Sequence, residues 1–567
     1  MDNLNRAVDV ANIAVEATPQ DHPDRAAILS NLGNRLGTRF ERTGFMDDLN
    51  RALSCFKGGW DCHTSPPSIR IGLASMAAAV ALNAEKEVQY ALELLELGRC
   101  VIAGLLLELR TDISDLREQH PRLATEFEIL RNKLDAPSSG IGLVGDATPS
   151  WTSQANRRIE ADQKFNLVIA KIRDQPTFQN FLLPPTRDEL MAAADQGPIV
   201  IINVSSYRCD AFLIEHHRIR VLPLPNLTEE KLNQRVQQQS VGSTPVLQWL
   251  WKAAAAPILD ALGHQQLPSN NWPRVWWIPT GALSHFPVHA AGFHTKGSTK
   301  TVLDRVMSSY SSSIKALVYG RRHSVHRTTE SGLEQALLVA MQETPCLPRS
   351  SALPFATKEV EMLVDLCPSL QLKAVMPLRR REEVLAHLRA CKIFHFAGHG
   401  RSDPLDPSQS SLLLDDWEKS PLTVGDLRDH RIAESSPFLG YLSACSTSTN
   451  RVGRLVDEGI HLASAFQLAG FRHVIGTLWE VSDIHCVDVA RVVYETIRDE
   501  GMTDVAICRG LHQAVRALRD GHIESTKEAR DAELSDGELS DGEVCDEGCE
   551  TTLESPLYWA PYIHFGV

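Results

Sequence analysis

Leu29, Leu32, Leu36 and Phe40 recur at spacings of three and four, which lays an apolar stripe along one side of a helix. Gly33 and Gly37 lie within that stripe, where they would allow close helix contact. Helical alternation resumes at Glu85 and runs to about Leu134, with a tight break expected near Arg110. The run Ala136-Pro137-Ser138-Ser139-Gly140 reads as a linker, and a helical stretch follows around Arg157 to Arg173. Beyond residue 190 the period shortens. Pro198 to Val204, Ala211 to Ile214, Val221 to Leu224 and Val275 to Pro279 are apolar runs of strand length separated by turn residues. Strands alternating with helices persist to Gly476-Thr477-Leu478-Trp479, which predicts a largely parallel α/β sheet. Residues 523–555 are too polar to pack and are expected to be a disordered loop. The apolar tail from Leu557 to Phe565 is expected to return to the fold.

The opening segment repeats. Met1 to Val8, Met-Asp-Asn-Leu-Asn-Arg-Ala-Val, recurs as Met46 to Leu53, Met-Asp-Asp-Leu-Asn-Arg-Ala-Leu, and Arg25 recurs in phase as Arg70. A period of about 45 residues is that of stacked helix pairs. These units resemble tetratricopeptide repeats of the slightly long kind found in filamentous fungi. Met1 falls on what would be the second helix of a unit, so the array is expected to continue a longer one or to need a partner at that end.

Composition narrows the function classes. A chain of 567 residues suggests two to four domains. No apolar run is long enough to cross a bilayer, and the first residues lack the layout of a signal peptide, so a cytoplasmic or nuclear protein is expected. The twelve cysteines show no paired spacing, which favours reduced, buried thiols over a disulfide frame. Cys545 and Cys549 have no matching Cys or His pair to complete a zinc site. The net charge of -14 is concentrated: Glu524 to Glu554 holds twelve acids against Lys527 and Arg530. The rest of the chain is nearly balanced. No basic patch suited to nucleic acid is visible, and no membrane partner is indicated.

Two apolar runs lead into residues with chemical potential. Ile393 to Ala397 runs into Gly398-His399-Gly400, and Phe438 to Leu442 runs into Ser443-Ala444-Cys445-Ser446. Functional groups gather at the carboxyl ends of strands in open parallel sheets. A thiol nucleophile needs a base to ionise it and donors for the oxyanion it creates. His399 supplies the base and Cys445 the thiol, while the flanking glycines would let the chain bend so that the Gly400 amide, with that of Cys445, faces the substrate carbonyl.

The segments from His395 to Gly400, Leu442 to Thr447 and Ala469 to Asp483 resemble the CHAT family, caspase-like proteases often fused to tetratricopeptide repeats and related to separase. Pro279 to Gly292 and Trp559-Ala560-Pro561 fit as well, so the resemblance covers about residues 190 to 567. It implies a helical solenoid over 1–135, a linker over 136–150, a helical connector and inactive caspase-like half over 151–330, and an active half over 331–567. The fold class expected is therefore a helical solenoid followed by a two-lobed caspase-like α/β protease. It also implies His399 as base and Cys445 as nucleophile, no cofactor, a protein substrate, and a regulator held by the repeat arm. Regulated proteolysis, including immunity or cell death, follows only by analogy of domains.

Asp483 corresponds to the residue that lines the primary substrate pocket in separase-like relatives, which would select Arg or Lys. Equally, Ser482 or Asp483 could cap a helix from Ile484 to Glu495. His289 and His395 read as structural, and Asp457 and Glu458 as the polar start of a helix through His461 to Leu468. Ser535 and Ser540, each followed by Asp, Gly and Glu, resemble phosphorylation sites in an acidic loop that could compete for a basic-residue pocket. Two other classes stay open: a non-catalytic scaffold, and a Cys hydrolase or transferase acting on non-peptide acyl groups.

Overall fold

The apolar stripe that begins at Leu29 forms α2 (Arg25–Thr43), which lies between α1 (Asp2–Ala17) and α3 (Met46–Trp60). With α4 (Pro67–Asn83) and α5 (Val88–Arg99) these helices pack in succession, each on the next. The structure is a computed structural model that describes residues 2–99, 116–135, 160–322, 334–401, 403, 409–430, 437–446, 462–522 and 555–567, leaving aside positions 21, 23, 61, 63–66, 162, 163, 166, 184, 239, 240 and 269–271 within those spans. The linker expected at 136–150, Asp457, Glu458, Cys545, Cys549 and the acidic stretch with Ser535 and Ser540 lie outside the described residues.

The strands join in one mixed sheet. In chain order they are β1 (Ile199–Asn203), β2 (Asp210–Glu215), β3 (Arg218–Pro223), β4 (Arg274–Pro279), β5 (Met307–Tyr310), β6 (Glu334–Ala340), β7 (Leu372–Val375), β8 (Cys391–Arg401), β9 (Ser411–Leu412), β10 (Leu422–Thr423), β11 (Leu439–Ser446), β12 (His473–Thr477) and β13 (Tyr562–Gly566). Their spatial order is β10-β9-β8-β11-β12-β13-β5-β4-β1-β2-β3, with β6 between β7 and the first part of β8. The terminal tail does return: β13 pairs antiparallel with β12 and parallel with β5. It thereby closes into one continuous sheet the two halves that the sequence suggests as lobes.

Parallel pairing holds through β7-β6-β8-β11-β12 and β13-β5-β4-β1, but β2 and β3 at one edge and β9 and β10 at another pair antiparallel. Connection length explains this. The turn at His216-His217 is far too short for the crossover that parallel neighbours require.

Alternate residues of the first half face opposite layers. Ile199, Ile201, Phe212, Ile214, Trp276 and Ile278 pack with the buried residues of α1 to α5. Val200, Ile202, Ala211, Leu213, Val275 and Trp277 face a second core. The N-terminal helices therefore cover the sheet instead of projecting from it, a difference from the separate arm expected over 1–135. Polar ties reinforce the contact: Asn203 Nδ2 donates to the Ser75 carbonyl at 3.0 Å, and Tyr207 donates its hydroxyl hydrogen to Asn34 Oδ1 at 3.1 Å. Arg208 donates to Asn83 Oδ1 at 3.0 Å, and the Ile314 amide donates to Glu96 Oε2 at 3.1 Å. A Cβ on Gly33 would stand 2.6 Å from the Phe56 ring, and one on Gly37 would press into the Tyr207 ring, which accounts for glycine at both places.

Residues 1–101 and 187–567 form this compact unit, and residues 102–186 form another. In the latter, the helix Pro121–Asp135 buries Ala124, Phe127 and Leu130 against Val168, Ile169, Ile172 and Phe181.

The second half of the sheet is covered on one face by α6 (Ala356–Leu366), α7 (Asp483–Glu500) and α8 (Asp504–Arg519). Ile393, Leu439, Tyr441 and Ile475 of the sheet pack with Val360, Leu363, Val489, Val493 and Leu511 of those helices.

Candidate active site

β8 is buried on both faces from Ile393, and its backbone stays extended through His399 and Gly400 to Arg401. The bend expected at the glycines is absent. A Cβ on Gly398 would stand 2.7 Å from the Phe396 ring and 2.9 Å from Met341 Cβ, so glycine is required there by close packing. β11 runs beside β8 in parallel, pairing Ser443 with Ala397, Cys445 with His399 and Ser446 with Gly400. The backbones of the two sequence candidates are thus immediate neighbours across one strand spacing, about 4.8 Å. Gly400 also pairs with Leu412 of β9. Both residues expected to supply oxyanion donors therefore belong to the strand ladder, not to a flexible turn.

The His399 ring is buried, and its Nε2 lies 2.7 Å from the Ser351 carbonyl oxygen. A carbonyl can only accept, so Nε2 carries the hydrogen, and in the neutral ring Nδ1 keeps its lone pair. Among the described residues Nδ1 has no hydrogen-bond partner. That is the tautomer a general base needs, held by a backbone group remote in sequence.

Asp483 is the first residue of α7, and Ser482 is its N-cap without a side-chain capping bond. Asp483 Oδ2 instead accepts the Phe355 amide hydrogen at 2.6 Å, at the entry to α6. Burial pushes its carboxyl up to about 6; the Phe355 hydrogen bond opposes this, and the Glu359 charge adds to it. A half-buried carboxyl so displaced is one that would gain from a cation beside it.

Behind β8 and β11 lies a buried polar cluster. Ser443 donates its hydroxyl hydrogen to Glu359 Oε2 at 3.0 Å. Glu359 Oε1 is 3.1 Å from His395 Nε2, within ion-pair reach although the angle is not that of a hydrogen bond. His395 Nδ1 is 3.1 Å from the Tyr494 hydroxyl, and the ring stacks on Tyr441 at 4.7 Å. His395 and Glu359 are 0% and 1% exposed, so neither can meet substrate. His289 is likewise buried, with Nδ1 2.8 Å from the Tyr310 hydroxyl, and burial pushes its imidazole down to about 3. Among the described residues no group of three or more His, Cys, Asp or Glu could hold a metal ion.

Sequence reasoning missed Ser351, Phe355 and Glu359. The first two act through backbone groups and carry no residue signature. Glu359 had one: Ala356, Glu359, Val360 and Leu363 form the buried stripe of α6, and a carboxyl in a core stripe needs partners.

Residues 244–567 match the CHAT domain family. No curated protein matches the chain in sequence. Among solved structures, the Arg specific cysteine proteinase gingipain R is similar at 11% identity and a TM-score of 0.35, over 56% of this chain and 68% of that one. A complex of the pro- and mature domains of Porphyromonas gingivalis RgpB is similar at 12% and 0.34, over 56% and 69%. The Saccharomyces cerevisiae separase-securin complex is similar at 12% and 0.41, over 96% of this chain and 40% of that one. The chain thus spans well under half the length of that separase.

Proposed function

The chain belongs to the CHAT domain family, and on that premise we propose that it is a cysteine endopeptidase of the caspase and separase type, acting through His399 and Cys445. The observation that carries this reading is the His399 tautomer, with Nε2 tied to the Ser351 carbonyl and Nδ1 unpartnered among the described residues, on a strand position paired with Cys445. In the proposed reaction His399 Nδ1 takes the Cys445 thiol proton and the thiolate sulfur attacks the peptide carbonyl carbon. The carbonyl oxygen takes up negative charge, and by family resemblance the amides of Gly400 and Cys445 stabilise it. Collapse breaks the carbon–nitrogen bond, and the departing amine takes the proton from His399. Water, deprotonated by the same imidazole, then cleaves the thioester and restores the thiol.

Asp483 is the proposed recognition group for a substrate Arg or Lys before the scissile bond. Its support is a raised carboxyl oriented by Phe355 and lacking a cationic partner among the described residues. The tetratricopeptide-like helices are proposed to receive a regulator, and the cytoplasm is the proposed compartment. Among the described residues no helix is long and apolar enough to cross a membrane.

An Arg-containing peptidyl electrophile is expected to modify Cys445 in the wild-type chain. Labelling and peptide cleavage are both expected to vanish in Cys445→Ala and His399→Ala, with both variants still folded and His399→Ala melting lower for the loss of its buried ring and its bond to Ser351. Labelling at another cysteine, or turnover retained by Cys445→Ala, overturns the assignment. Absence of labelling in a folded wild-type chain favours the scaffold reading, and cleavage of small thioesters without peptides favours the acyl hydrolase.

A further inference from the structure

One nine-residue segment, 351–359, contacts His399, Asp483 and the strand that carries Cys445. The Ser351 carbonyl accepts from His399 Nε2 at 2.7 Å, and the Phe355 amide donates to Asp483 Oδ2 at 2.6 Å. Glu359 accepts from Ser443, two residues before Cys445 on β11, and faces His395, four residues before His399 on β8. The segment is itself pinned. The Leu353 amide donates to the Gln342 carbonyl at 2.9 Å, just beyond β6, and the Glu359 amide donates to the Phe355 carbonyl at 2.9 Å in the first turn of α6. The Glu359 carboxyl is therefore fixed relative to both backbone contacts.

We propose that Glu359 is a positioning residue of the peptidase: through Ser443 it sets the place of the Cys445 strand relative to the His399 imidazole. This rests on the peptidase reading above. Three features separate the role from core filling. The carboxyl occupies a core stripe of α6 where an apolar side chain would otherwise serve. Its contact is to the strand of the proposed nucleophile. The same segment holds the base: Ser351, in the turn before α6, contacts His399 while Glu359, in the first turn of α6, contacts Ser443, so both strands of the dyad are referenced to residues 351–359. A displacement of the thiol by a fraction of an ångström degrades proton transfer and attack while leaving substrate contacts intact. The loss should thus fall on kcat and not on KM.

The test uses the full chain with an Arg peptide substrate, normalised by Cys445 labelling so that only active molecules are counted. Glu359→Ala and Ser443→Ala are each expected to lower kcat about 10- to 100-fold with KM within about twofold. The double variant should be no worse than the more affected single variant, because both remove one link. Glu359→Gln keeps an acceptor for the Ser443 hydroxyl and should recover kcat to within about threefold of wild type. Should Glu359→Ala fail to fold, Ser443→Ala and Glu359→Gln decide the matter. Wild-type kcat in folded Ser443→Ala, fully additive losses, or a Glu359→Gln deficit as deep as that of Ser443→Ala overturns the proposal while the peptidase reading stands. A wild-type chain that neither cleaves peptide nor labels at Cys445 overturns both.

Discussion

Replacing Asp483 by Asn separates what this residue does for the fold from the substrate recognition proposed for it. The carboxyl is pushed from an ordinary 3.8 to about 6, chiefly by burial, so the fold disfavours its ionised form. At about 1.4 kcal/mol per pH unit the displacement corresponds to about 3 kcal/mol, which partial solvent access reduces to roughly 1–2 kcal/mol. The sign follows from linkage. Between the unfolded value near 4 and the folded value near 6, the native state binds more protons than the unfolded chain. The stabilising contribution is therefore complete below about pH 4 and is lost as pH rises through 6. Asn is never charged and can still accept the Phe355 amide hydrogen through its carbonyl oxygen. Asp483→Asn should accordingly melt about 1–2 °C higher than wild type at pH 8 and at the same temperature below pH 4. The same variant should lose cleavage after Arg, since it can no longer pair with a guanidinium. An Arg-mimicking ligand such as a peptidyl agmatine should raise the melting temperature of the wild type at pH 8 and leave the variant unmoved. Identical melting curves across pH 4 to 8 would refute the account of the raised carboxyl, and undiminished cleavage after Arg in Asp483→Asn would refute the specificity.

Asp504 presents the opposite sign. Paired with His473 and with the Arg472 guanidinium, its carboxyl is held well below the usual range, so the stability it contributes is present above about pH 4 and is lost as pH falls further. Asp504→Asn should destabilise the fold by about 3 kcal/mol at pH 7, with the deficit beginning to narrow at pH 3, as thermal melting at pH 7 and pH 3 would show. At Gly398, substitution by Val would force atoms into the Phe396 ring and Met341, and overpacking of this kind costs about 1–3 kcal/mol. Gly398→Val should therefore lose both melting temperature and activity, and Gly398→Ala, whose Cβ alone meets the Phe396 ring, should lose part of each; a Gly398→Ala that melts and cleaves as wild type would refute the close packing.

How much of the fold was legible depended on whether period and punctuation pointed the same way. The runs at Pro198 to Val204 and Val275 to Pro279 became β1 and β4 with little change of boundary, because buried interior strands are marked by composition alone. The helices of the first hundred residues were legible from their stripe and repeat. Their destination was not, since a stripe states that a face is buried and not against what. The one local sign was α4, which from Met76 to Leu82 is apolar on every side. A helix buried between neighbours and a sheet requires that, and a terminal repeat exposed to solvent does not. The antiparallel edges were legible too, had the two-residue turn at His216-His217 been weighed against the α/β pattern.

The site divided along a different line. His399 and Cys445 could be singled out because the proposed chemistry would restrict those positions to one residue type each, and the β8–β11 register makes their backbones neighbours. The groups around them escape such reading for two physical reasons. A carbonyl or amide contact, as at Ser351 and Phe355, is satisfied by almost any residue that keeps the backbone in place. A buried carboxyl such as Glu359 is specified by its partners, and those partners, Ser443 and His395, lie 84 and 36 positions along the chain. Recovering them from sequence would have needed the α6-to-sheet packing first, so the pair that performs the proposed chemistry is local in pattern while the frame that aims it is a property of the fold.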